Sequence, residues 1–105
     1  MLKVYGSAKC PDCIALKKNY DFYGIEYEFT EVLESLKNLH EFLALRDHSP
    51  VFDHCKEIGD IGLPTVVKED GEIYINWEER LEAEGKEVLS VETNAQACSL
   101  DHKGC

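Results

Sequence analysis

The chain has 105 residues, 44% of them hydrophobic, and its 11 basic and 21 acidic side chains leave a net charge of −10. That length holds one domain around one core, and the composition is that of a globular chain rather than a disordered one. The charge argues against nucleic acid or an anionic membrane as partner, since both need a basic patch, and suits a neutral or cationic partner surface.

No apolar run approaches the roughly 18–20 residues of a membrane span. Met1-Leu2-Lys3-Val4-Tyr5 passes straight into a strand pattern without a signal peptide's apolar middle. The expected location is the cytoplasm and the expected state a monomer. Five cysteines, an odd number at irregular spacing, fit redox chemistry or metal binding better than a secreted disulfide framework.

Leu2, Val4 and Tyr5 predict a first strand, which Gly6-Ser7-Ala8-Lys9 breaks. A helix follows, with Pro11 at its first position and Cys13, Leu16, Tyr20 and Tyr23 at helical spacing up to Gly24. Ile25, Tyr27 and Phe29 then alternate with polar residues as a half-buried strand. Ser35 is placed to cap a second helix with the apolar face Leu36, Leu39, Phe42 and Leu43, stopping near Asp47. Ser49-Pro50 opens a shorter helix with Val51, Cys55 and Ile58 on one face and Gly59 at its end.

Thr65-Val66-Val67 and Ile73-Tyr74-Ile75 flank an Asp70-Gly71 turn, a hairpin signal, and a last helix is expected over Trp77 to Ala83, ending at Gly85. Two parallel strands joined by a helical crossover, then a hairpin, make an α/β fold: a four-stranded mixed sheet flanked by helices. Residues 1–89 form this domain; residues 90–105 lose periodicity and read as a polar, cysteine-containing C-terminal tail.

Cys10-Pro11-Asp12-Cys13 falls where the first strand hands over to the first helix. A thiolate at a helix N-cap faces unpaired N–H groups and the positive end of the helix dipole. Such cysteines reach pKa values of roughly 3.5–7.5. Cys13 lies one turn deeper on the same side. Cys10 is then the nucleophile that attacks a substrate disulfide, and Cys13 the thiol that resolves the mixed disulfide. Lys9 favours the thiolate and Asp12 opposes it. A lone C-x-x-C can also be half of a zinc site, but no second C-x-x-C or spaced histidine pair completes one. Gly62-Leu63-Pro64-Thr65 precedes the hairpin strand, where a cis Leu63–Pro64 bond would offer Leu63 backbone to an extended substrate; most X–Pro bonds are trans.

With these residues in place, the chain resembles the glutaredoxin-like branch of the thioredoxin superfamily over about residues 1–84. Cys10-Pro11-Asp12-Cys13 is similar to glutaredoxin's C-P-Y-C, and Gly62-Leu63-Pro64-Thr65 to thioredoxin's G-I-P-T. The resemblance implies a thioredoxin fold and a thiol–disulfide oxidoreductase serving electron transport and cell redox homeostasis. It makes Cys10 and Cys13 catalytic, and puts Lys9, Pro11, Asp12, Leu63, the cis-proline Pro64 and Thr65 at the substrate. No cofactor is bound; the partners are a disulfide-containing protein or small thiol substrate and an external reductant, either a flavin disulfide reductase or glutathione. Where glutaredoxins hold glutathione's carboxylate at a helix start, this chain has Asn76-Trp77-Glu78-Glu79, so glutathione is expected to be a poor reductant.

The tail adds Cys98, His102 and Cys105, readable as two unengaged thiols, as a second redox pair, or as part of a metal site without an evident fourth ligand. A metal-handling or adaptor module using Cys10/Cys13 or Cys98/His102/Cys105 is the alternative to the enzyme. Cys55 is expected to be buried and structural, and His40, His48 and His54 to lie on helix surfaces.

Overall fold

Val4 and Tyr5 are neighbours on β1 (Leu2–Gly6) and face opposite sides of a sheet, which gives the protein two apolar layers. A computed structural model describes residues 1–90; the proposals for Cys98, His102 and Cys105 lie outside the described residues. The elements are β1, α1 (Pro11–Phe22), β2 (Tyr27–Glu31), α2 (Leu36–His48), a 3-10 turn (Pro50–Phe52), α3 (Asp53–Ile58), β3 (Thr65–Val67), β4 (Ile73–Tyr74) and α4 (Trp77–Ala83). The fold is α/β, with a mixed open sheet in the order β2-β1-β3-β4. β1 runs parallel to β2, with Val4 opposite Phe29, and antiparallel to β3, with Val4 opposite Val66. β3 pairs antiparallel with β4.

On one face, Leu16 and Tyr20 of α1 and Trp77 and Leu81 of α4 pack on Val4, Val66 and Tyr74. On the other, Phe42 of α2 and Phe52 of the 3-10 turn pack on Tyr5 and Val32. Several local expectations are met. The Ser35 hydroxyl caps α2 by accepting from the Asn38 N–H at 3.1 Å. The hairpin closes with Lys68 N–H donating to Glu72 O at 2.8 Å, and Gly71 takes the positive φ of 95° that the turn requires.

Two predicted faces need correction. Leu36 and Leu43, assigned to the buried stripe of α2, are 83% and 37% exposed. In the third helical segment Val51 and Ile58 are exposed, and Phe52 with Cys55 turns inward instead. The segment opens as a 3-10 turn, in which residues three apart eclipse. That winding aligns Phe52 with Cys55 and rotates Val51 outward. The first helix stops at Phe22, two residues before its expected end, and the second strand begins at Tyr27 rather than Ile25.

After α4 the chain turns back along α1. Tyr23 O–H donates to Glu87 O at 2.6 Å, Leu89 N–H donates to Asn19 Oδ1 at 2.7 Å, and Lys18 Nζ donates to Ser90 O at 2.6 Å. Asn19 is fully buried and its amide is satisfied on both sides, donating also to Ala15 O and Leu89 O.

Candidate active site

β1 ends in Gly6, and the chain must cross from the sheet to α1 within Ser7-Ala8-Lys9-Cys10. Cys10 takes the N-cap position of α1 in extended conformation, with Pro11 directly after it. Its carbonyl accepts from the N–H groups of Cys13 and Ile14 at 3.0 and 3.1 Å. Cys10 is half-buried while Cys13 is fully buried, so only one of the two thiols meets an incoming molecule. Both are free thiols.

The two sulfurs differ in chemistry as well as exposure. The Cys13 thiol donates a hydrogen bond to Cys10, and with the N–H groups of Cys13 and Asp12 this holds the Cys10 pKa down to about 6, against the opposing effects of burial and the Asp12 charge. Cys13 is pushed well above the usual thiol range, first by that hydrogen bond to Cys10 and then by burial. At neutral pH the pair therefore stands as one thiolate, Cys10, and one thiol, Cys13.

Several residues hold this geometry without being recognisable beforehand. Ser7 N–H lies 3.4 Å from Cys13 Sγ, and Ser7 O accepts from Cys10 N–H at 3.1 Å. A Cβ on Gly6 would come within 2.7 Å of Cys13 Sγ, so only glycine lets the Cys13 sulfur lie against the strand end. Glu31 reaches across from β2 to accept from Ala8 N–H at 2.8 Å and Leu33 N–H at 3.1 Å, which fixes the loop carrying Lys9 and Cys10. The Ala8 N–H in particular holds the Glu31 pKa below its ordinary value.

Cys10 opens into a cavity of about 580 Å³ on the α2 side of the sheet. Lys9, Pro11 and Leu63 share its wall with Cys10, and Leu33, Leu39, Phe42, Leu43 and Ile61 make most of the remainder apolar. Arg46 shapes the far wall, donating from Nε to Ile61 O at 2.9 Å and from Nη2 to Asp60 O at 2.7 Å. Leu63–Pro64 is a cis peptide. Pro64 and Thr65 are buried behind the wall, and the Thr65 hydroxyl is taken up by Gly62 O at 2.7 Å.

Asp12 lies at the surface on the first turn of α1, yet enough protein surrounds its carboxyl that desolvation, followed by the Asp60 charge, raises its pKa. Glu78 on the first turn of α4 is raised in the same way, by desolvation first and then by Asp12. Negative charge thus surrounds the dithiol on the α4 side. Glu79 is drawn back by a bond from Asn76 Nδ2 at 3.0 Å. Cys55 is buried, and its thiol pKa is raised by burial and by Asp60. His48 bonds Ala44 O at the exposed end of α2, and His54 pairs with Glu57 in the open.

Among the described residues, no three or more His, Cys, Asp and Glu side chains cluster closely enough to hold a metal ion, and no helix is long and apolar enough to cross a membrane. No protein-family model and no solved structure matches the chain. A protein of Haemophilus influenzae described as uncharacterized is 34% identical over 67 residues, covering 64% of this chain and 78% of that protein.

Proposed function

The chain belongs to the family of that Haemophilus influenzae protein, and from its own geometry we propose that it is a cytoplasmic thiol–disulfide oxidoreductase on a glutaredoxin-like thioredoxin fold. One observation carries the reading: a half-exposed Cys10 thiolate at a helix N-cap, backed by a buried Cys13 thiol one turn away. A low-pKa thiol at the surface backed by a protonated buried one is the division of labour that a nucleophile and a resolving thiol need. The strand order β2-β1-β3-β4 and the cis-proline segment behind the site support the fold assignment.

Cys10 Sγ attacks one sulfur of a substrate disulfide, forming a Cys10–substrate bond as the other substrate sulfur leaves with the electron pair and takes a proton. Losing the thiolate at Cys10 removes what held the Cys13 proton in place. Cys13, now a thiolate, attacks Cys10 Sγ, forms the Cys10–Cys13 disulfide and releases the second substrate thiol. Two electrons pass to the substrate, whose two sulfurs take up two protons in all, one replacing the proton that Cys13 gives up and one from solvent. An external dithiol of a flavin-dependent reductase, or glutathione, returns the protein to the dithiol form.

The cavity beside Cys10 favours a disulfide carried next to an apolar side chain over a small, charged one. Glu78 and Glu79 disfavour glutathione's carboxylates and make the flavin-dependent route the better match. In the test, Cys13→Ser protein meets a peptide disulfide and the product is mapped by mass. The expected product is a stable mixed disulfide at Cys10. Attachment at Cys55, or no attachment at all, would overturn the assignment.

A further inference from the structure

The backbone of Ser7 is aimed at a sulfur. Ser7 is 2% exposed, its N–H donates to Cys13 Sγ at 3.4 Å, and Gly6 next to it brings the strand end close to the same atom. A thiol sulfur is a weak acceptor and a thiolate a strong one, so this bond strengthens when Cys13 ionises. The Ser7 N–H accordingly lowers the Cys13 pKa, whereas the bond to Cys10, burial and the Asp12 charge raise it. Ser7 belongs to no helix or strand, and Glu31 holds its loop. From β2 the carboxylate accepts from Ala8 N–H at 2.8 Å and from Leu33 N–H at 3.1 Å, while the Ser7 hydroxyl accepts from Lys9 N–H at 3.0 Å. Ala8 N–H is one residue from the Ser7 amide, so the group that holds it also sets where the Ser7 N–H points.

Resting on the dithiol reading above, we infer that the Ser7 N–H stabilises the Cys13 thiolate in the resolving step and that Glu31 is the positioning residue that aims it. Once Cys10 is joined to the substrate, Cys13 gives up its proton to solvent, and the charge left on Sγ meets an N–H already in place. Cys13 Sγ then forms its bond to Cys10 Sγ as the Cys10–substrate bond breaks. The substrate sulfur leaves with that electron pair and takes up a proton, so the dithiol ends oxidised and the substrate reduced. The charged groups acting on Cys13 are Cys10 and Asp12, and Cys10 is neutral once it carries substrate. Glu31 acts through the loop, with the Lys17 charge of α1 beside it. For a thiol that ionises above the working pH, each unit of lowered pKa multiplies the thiolate about tenfold and costs only about threefold in nucleophilicity.

The experiment mixes the reduced full chain, carrying Cys98→Ser and Cys105→Ser so that those thiols do not compete, with one equivalent of an aromatic disulfide. One aromatic thiol is released when Cys10 attacks and a second when Cys13 resolves, and only the first phase depends on concentration. The parent is compared with Glu31→Ala, with Glu31→Gln, and with a chain ligated at Cys10 in which an ester replaces the Gly6–Ser7 amide, which removes the Ser7 N–H and no side chain. In the ester and in Glu31→Ala the second phase should slow roughly three- to tenfold at pH 7, with the deficit shrinking as pH rises, while the first phase stays within about twofold. Glu31→Gln keeps one acceptor oxygen and should fall between. An ester chain that resolves like the parent overturns the role of the Ser7 N–H, whether or not Glu31→Ala folds. Slowing in the ester alone overturns the part assigned to Glu31. Equal slowing of both phases at every pH overturns the inference and leaves the dithiol reading intact, because a loop that merely supports Cys10 would produce it. If the parent shows no first phase, the dithiol reading fails and the inference with it.

Discussion

The two faces of the sheet are built from the same kinds of residues and end in opposite states. On the α1/α4 face, Trp77, Tyr20 and Leu16 are at most 2% exposed, and the Tyr20 and Tyr74 hydroxyls share one hydrogen bond at 3.0 Å. On the α2 face, Phe42 and Phe52 are sealed, but Leu33, Leu43 and Ile61 stand around a cavity that reaches Cys10. The difference lies in what covers each layer. α4 and the strap of residues 87–90 cover the first, whereas on the second Arg46 of α2 ties down the loop at Asp60 and Ile61, which lines the cavity. Apolar surface that is sealed on one face is left open beside Cys10 on the other.

The largest effect expected falls at the junction of the two faces. Cys10→Ser should lower disulfide turnover by on the order of 10³-fold or more, measured against a peptide disulfide, with the fold retained by circular dichroism. Next, Trp77→Ala on the closed face should cost about 3–5 kcal/mol in denaturant unfolding. Leu43→Ala on the open face should cost only about 1 kcal/mol, yet raise KM for an apolar peptide disulfide severalfold while leaving a small aromatic disulfide unaffected. Equal loss of stability in the two variants would erase the contrast between the faces.

A pH series sharpens the account of the dithiol. With Cys10 held to about 6, alkylation of Cys10 should rise through that pH and level off below the range of an ordinary thiol. The folded pKa is depressed relative to the unfolded chain, so this group's contribution to stability is complete above the unfolded thiol pKa of roughly 8.5 and is lost as pH falls through about 6. Reduced protein should therefore gain stability over Cys10→Ser between pH 6 and 9. The smallest effect concerns the reductant. Glutathione should recycle the oxidised protein roughly tenfold more slowly than a flavin-dependent disulfide reductase, and Glu78→Gln with Glu79→Gln should narrow the gap only a few-fold.

Local signals were legible wherever one short segment decides its own conformation. The Ser35 cap, the Asp70-Gly71 turn and the Trp77–Ala83 helix depend on neighbours in sequence, and so does the placement of Cys10 at a strand–helix junction. What escaped depends on distant partners. Glu31 serves a loop 23 residues earlier, and Arg46 one about 15 residues later. Asn19 binds Leu89 across 70 residues. Gly6 reads as a strand breaker until Cys13 Sγ is seen against it. Leu36 and Leu43 fit a buried stripe, but nothing local says that the sheet leaves part of that stripe uncovered.

The strap bonded to Asn19 also bears on hydrogen exchange. The Leu89 amide has one protein acceptor, a side-chain oxygen, and the segment around it belongs to no helix or strand. Breaking that bond together with those at Glu87 and Ser90 frees the segment without touching the strand pairing, so Leu89 N–H should exchange through a local opening far cheaper than global unfolding, while the amides of β1 and β3 exchange only when the whole domain unfolds. Asn19 keeps its bond to Ala15 O in that opened form but loses both bonds to Leu89, and regaining them favours closure.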